Sequence, residues 1–69
     1  MKPMNYVIEF VQSFNGEPVL GTTIVDYFQN QLELSAHICA GCVGSAVKFG
    51  HIRVVGTKKV DNKTVNLFL

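Results

Sequence analysis

Val7, Phe10, Val11 and Phe14 recur at i, i+3, i+4 and i+7, the spacing of one apolar helix face. This predicts a first helix from about Asn5 to Phe14, closed by Gly16, which takes the left-handed conformation readily. Glu17-Pro18-Val19-Leu20-Gly21 breaks the pattern, because proline cannot continue a helix interior. Its Val-Leu pair suits a short strand. Thr23, with Asp26 three residues later, predicts the start of a second helix. The hydroxyl would cap an orphan N–H, and the carboxylate would sit in the first turn. Ile24, Val25 and Phe28 form its buried side, Asn30-Gln31 begin its end, and Leu32-Glu33-Leu34 make a turn. Ser35 then predicts the cap of a third helix, about Ala36 to Phe49, stopped by Gly50.

At 100° per residue, Cys39, Cys42, Val43, Ala46, Val47 and Phe49 fall within about 80° of one direction on the third helix and read as core. His37, Gly41, Gly44 and Lys48 form the opposite stripe, flanked by Ala40 and Ser45. Beyond Gly50 the period changes to two. Ile52 and Val54 alternate with Arg53, and Val65, Leu67 and Leu69 alternate with Asn66 and Phe68, as half-buried strands do. Asp61-Asn62-Lys63 supplies the turn, since Asn and Asp tolerate positive φ. Gly56 and Val60 are each candidates for a bulge. Core-facing Leu67 and Leu69 leave Phe68 either on the outer hairpin face or packed as a satellite on the first helix.

Composition sets limits on this picture. The chain has 69 residues, 48% hydrophobic and 16% charged, which fits one ordered domain spanning residues 1–69 and excludes a disordered tail. Two cysteines exclude a disulfide-rich scaffold. The start, Met1-Lys2-Pro3-Met4-Asn5, does not read as a signal peptide. The longest uncharged stretch, Leu34 to Val47, is 14 residues, too short to span a bilayer. A cytoplasmic protein without membrane contact is the expectation. Charge is divided unevenly. Residues 1–47 carry Lys2 against Glu9, Glu17, Asp26 and Glu33, one cation less four acids, or −3. Residues 48–69 carry Lys48, Arg53, Lys58, Lys59 and Lys63 against Asp61, five cations less one acid, or +4. A split of this kind suits a polyanionic partner at the basic end, or lysines that keep an edge hairpin soluble.

Reactive chemistry finds little support. His37, Cys39, Cys42 and His51 are possible zinc ligands, but His37 projects roughly 160° from Cys39 on a helix. Cys39-Ala40-Gly41-Cys42 has redox spacing, yet Cys39 lies a turn inside the helix rather than at the N-terminus that would depress its pKa. Both cysteines read as small core hydrophobes. His37 near Ser35 or Ser45 lacks a nucleophile elbow, and no phosphate loop, dinucleotide fingerprint or paired carboxylates occur. Asn62-Lys63-Thr64 fits a glycosylation sequon but reads as a turn. The expectation is a protein with no catalytic residues, metal or cofactor.

Helix, short strand, helix, tight turn, capped helix, glycine and hairpin follow one another in an order that resembles a winged helix-turn-helix domain. The resemblance covers nearly the whole chain. It is carried best by Leu34-Ser35, by Cys39 and Val43, and by Gly50-His51-Ile52-Arg53. It implies an α+β fold of three helices plus a C-terminal β-hairpin wing, of the small phage, plasmid or bacterial regulator type. In such domains the third helix enters the DNA major groove and the wing approaches the backbone. The implied nucleic-acid-binding residues are His37, Ala40, Gly41, Gly44, Ser45 and Lys48 on the helix. Arg53, Lys58, Lys59 and Lys63 would serve the wing, neutralising phosphates. The implied function is a small transcriptional regulator binding double-stranded DNA. The helix stripe is poor in side chains that reach base edges, so a second reading stands beside it: an adaptor or inhibitor of a transcription or replication protein. A homodimer is compatible with both.

Overall fold

The computed structural model describes residues 3–69. Three helices and a three-stranded antiparallel sheet form an α+β domain. In chain order these are α1 (Pro3–Gln12), β1 (Val19–Leu20), α2 (Gly21–Asn30), α3 (Ala36–Lys48), β2 (Val54–Val60) and β3 (Lys63–Phe68). No helix among the described residues is long and apolar enough to cross a membrane.

The apolar face of α1 places Val7 and Val11 in the core with Ile24 and Phe28 of α2, Cys39 and Ala46 of α3, and Val19, Ile52 and Phe68. Helix α1 ends two residues before Phe14, in a turn where Asn15 and Gly16 take φ of 54° and 87°. Phe10 stacks on Tyr27 at 4.2 Å between ring centroids and meets Phe14 edge-on, which joins α1 to α2.

The start of α2 differs from expectation. The helix begins at Gly21, directly after β1, with Leu20 at the cap position and no side-chain cap. Thr23 therefore lies inside the helix, and Asp26 lies beyond its first turn. The strand passes straight into the helix because Leu20 is still held opposite Leu67. The turn between α2 and α3 is closed by backbone bonds from Leu32 N to Tyr27 O (3.3 Å) and Leu34 N to Phe28 O (2.9 Å), with Glu33 at φ 54°.

Helix α3 begins as its sequence predicts. The Ser35 Oγ accepts a bond from Ile38 N at 3.2 Å, satisfying one orphan donor. At the other end Gly50 has φ of 78°. Gly50 N donates to Val47 O and His51 N to Ala46 O, the paired bonds of a Schellman ending. Phe49, expected in the core, occupies the cap position outside the helical conformation and is 63% exposed. It lies at the edge of the buried face and at the very end of the helix, where the core no longer covers it.

The sheet order is β1-β3-β2. A two-residue loop, Asp61-Asn62, joins β2 to β3 with both φ values positive, closing on the pair Val60↔Lys63. This matches the twist of a tight antiparallel hairpin. The bulge falls between Val54 and Gly56. Phe68 is opposite Val19 on one side and Val54 on the other, and it is buried to 6% exposure. The expected phase of β3 is thus reversed. Phe68 points into the core, while Val65 and Leu67 are half-buried. Alternation in the sequence fixes a period of two, and only the pairing with β1 selects which face is inward. Phe68 is packed beneath the start of α2 rather than on α1: a side-chain carbon at Gly21 would touch its ring at 3.4 Å.

The two phenylalanines should separate clearly in denaturant unfolding. Phe68→Ala is expected to cost about 3–5 kcal/mol as a core truncation, and Phe49→Ala no more than about 0.5 kcal/mol as an exposed one. Equal costs would contradict this assignment of faces.

Candidate nucleic-acid interface

Helix α3 carries the predicted stripe on its solvent side. His37, Ala40, Gly41, Gly44 and Lys48 are exposed and Ser45 is half-buried. Carbon atoms added at Gly41 or Gly44 would meet nothing within 4 Å. Neither glycine has positive φ, so neither is required by the packing of this chain. Each lowers helix stability by about 0.8–1 kcal/mol relative to alanine.

Arg53, Lys58, Lys59 and Lys63 are all exposed, but the sheet register does not present them together. Cross-strand partners share a face. Lys59 is opposite Thr64, whereas Lys58 is opposite Val65 and Lys63 opposite Val60. By the alternation of the strands, Lys59 shares the face of Phe68 and Asn66, and Lys58 and Lys63 lie on the reverse face. Arg53 extends the ladder: its N–H donates to Leu69 O and its carbonyl accepts from Leu69 N, both at 3.0 Å.

Between α3 and the hairpin runs an open groove of about 570 Å³. Helix residues Ala40, Val43, Gly44 and Val47 form one wall, and Val54, Thr64, Val65, Asn66 and Phe68 form the other. Val25 and Thr22 of α2 close the end. The groove brings Ala40 and Gly44 of the predicted stripe to the hairpin, with Lys48 next to Val47 and Lys59 opposite Thr64. His37, Gly41, Ser45, Lys58 and Lys63 do not line it. Val54, Thr64 and Asn66 carry no signal of a site in the sequence, because assigning them requires the inward phase of Phe68.

The two thiols lie beneath this surface. Burial pushes the Cys39 thiol up from its ordinary range, and neighbouring Cys42 pushes it further. Burial alone raises Cys42. Both are free and are held in the neutral form, the reverse of what nucleophilic redox chemistry needs. Among the described residues no three His, Cys, Asp or Glu side chains come together as a metal site.

In comparisons with known proteins the chain matches no family model, no curated protein and no solved structure.

Gly41→Ala and Gly44→Ala are each expected to stabilise the protein by up to about 1 kcal/mol, read from the midpoint of urea unfolding. The thiols should also show in the pH dependence of stability. Their folded pKa values lie above the unfolded ones. The stability they contribute is therefore fully present below the unfolded thiol pKa and is lost as pH rises towards and through the folded values. From neutral pH to about pH 10, above the ordinary thiol pKa, the wild type should lose more stability than a Cys39→Ala/Cys42→Ala variant.

Proposed function

We propose that this chain is a small winged-helix regulator that binds double-stranded DNA and catalyses no reaction. The observation that carries the reading is the shared groove, in which the open face of α3 and the hairpin border one surface. The element order and the sheet order β1-β3-β2 support a winged helix-turn-helix arrangement. Five of the six Lys and Arg residues fall between Lys48 and Lys63. In this reading α3 enters the major groove, where its small residues allow close approach, and the hairpin acts as the wing. Lys48 and Lys59 neutralise phosphates beside the helix, and Arg53, Lys58 and Lys63 reach phosphates on the far side of the wing. His37 and Ser45 supply what base contact there is. Most of the affinity then comes from the backbone and is independent of sequence.

The exposed apolar residues Ile38, Phe49, Val54 and Val55 favour a second reading: an adaptor or inhibitor that binds a protein of the transcription or replication machinery. Solitary exposed apolar side chains are ordinary, but four on a domain this small, one of them, Val54, lining an apolar groove, suit a protein surface.

A mobility-shift titration across a salt series distinguishes the two. For DNA binding, log affinity should fall linearly with log salt concentration. Replacing Lys58 and Lys59 with alanine should weaken binding similarly on every sequence and reduce the slope by about 0.9 for each phosphate left without its cation. Lys59→Ala should reduce it more than Lys63→Ala, because only Lys59 shares the α3 side. Absence of any shift at low salt would exclude the DNA reading.

A further inference from the structure

We propose that the groove between α3 and the hairpin takes up an extended, apolar segment of a partner protein, which adds as a short strand to the free edge of β3. The inference goes beyond the DNA reading and holds whether or not DNA binds; it gives the adaptor reading a mode of recognition.

The free edge follows from the sheet register. Strand β1 pairs only with Phe68 and Leu67, and the chain then leaves for α2 at Gly21. Among the described residues, Thr64, Val65 and Asn66 therefore have strand partners in β2 alone. Leu69 exchanges both backbone bonds with Arg53. Along the unbroken β3 this directs the groups of Leu67, Val65 and Lys63 to β2, and those of Phe68, Asn66 and Thr64 to the opposite edge. Phe68 meets Val19 there. The Asn66 carbonyl has Gly21 beside it, since a side-chain carbon at Gly21 would lie 3.7 Å away. The N–H and C=O of Thr64 and the N–H of Asn66 have no backbone partner among the described residues. Both residues are exposed, and both line the groove.

Backbone and lining together select the occupant. Unpaired strand groups are completed by another extended backbone, whose alternate side chains fill pockets beside the edge. Sheet edges are ordinarily protected by a bulge or by charge, but the bulge here lies in β2 and Thr64, Val65 and Asn66 are uncharged. The facing wall is a helix with Val43 and Val47, and Val25 closes the end. Apolar side chains at i and i+2 of an added strand leave water against these valines. Ala40 and Gly44 keep the helix wall low, with open space at Gly44. The groove, about 570 Å³, has the size of a small-molecule pocket and holds a few residues rather than a second sheet. A symmetric pairing of two such edges centred on Val65 would set Lys63 of the second copy opposite Leu67, where Leu20 already stands. A short segment of another protein meets no such obstacle. Run antiparallel to β3, it continues the line of β1 from Gly21 towards the hairpin turn.

Amide hydrogen exchange of the free protein gives the first check: Val65 and Leu67 should be protected, and Thr64 and Asn66 should exchange rapidly. Random linear peptides are then selected on phage against the immobilised full chain. Winners should carry apolar residues at i and i+2, and a synthesised one should protect the Thr64 amide. Methylating its backbone nitrogens one at a time should weaken binding about tenfold at the residue facing Thr64, and far less at the two neighbours. Gly44→Phe fills the groove, and Thr64→Pro removes an outward N–H without removing a hairpin bond. Each should weaken binding about tenfold or more. Circular dichroism and unfolding midpoints show which variants fold, and the methylated peptides decide if neither does. Slow exchange at Thr64 in the free monomer, winners with helical spacing, equal effects of methylation at neighbouring residues, unchanged affinity of a folded variant, or no enrichment above background would overturn the proposal. So would a dimer of the chain alone that protects Thr64, which assigns the edge to a second copy. A mobility shift that fails while the peptide binds removes the DNA reading alone. A shift that persists after an unsuccessful selection removes only the docking edge.

Discussion

The central position of β3 is the constraint on which the rest of this structure depends. Phe68 is held between Val19 and Val54 and packed under the first residue of α2. One ring thereby ties together the two outer strands and the start of a helix. A strand of two residues has little stability of its own, so β1 exists because β3 pairs with it and Phe68 covers Val19. The direct passage from β1 into α2, with no polar cap, follows from the same contact. So does the groove, which Phe68 lines together with Thr64, Val65 and Asn66.

How much of this is legible in the sequence depends on the range of the signal. Ser35, Gly50 and Asp61-Asn62 act through bonds and dihedrals a few residues away, and each does in the structure what its chemistry predicts. The faces of α1 and α3 are equally readable, since helical periodicity carries its own phase once the apolar residues are placed. Phe49 and Thr23 depart from expectation because periodicity and capping patterns do not say where helical geometry stops. The face of β3 is not readable at all. Leu67 and Phe68 are both apolar, and the choice between them is made by β1, more than 40 residues distant in sequence.

The candidate surface is legible in part for the same reason. The open stripe of α3 follows from the helix alone. The grouping of cations does not, because the register that puts Lys59 on one face and Lys58 on the other is a property of the folded hairpin. A count of charges along the chain suggests one basic patch, whereas the register sets Lys59 opposite Thr64 and Lys58 opposite Val65, on alternate sides of the strand.

Strand order also bears on behaviour in concentrated solution. Strand β2, seven residues from Val54 to Val60, is the long outer strand, and its second edge carries no partner among the described residues. An exposed, regular edge is a template for adding the strand of another molecule. Here two features blunt it. The bulge at Val54/Gly56 interrupts the row of hydrogen-bonding groups, and Lys58 and Lys59 place adjacent charges on its second half. The same lysines considered as ligand contacts thus also act as guards against fibrous self-association. A change that straightens the bulge while neutralising them would alter solubility before it altered any binding.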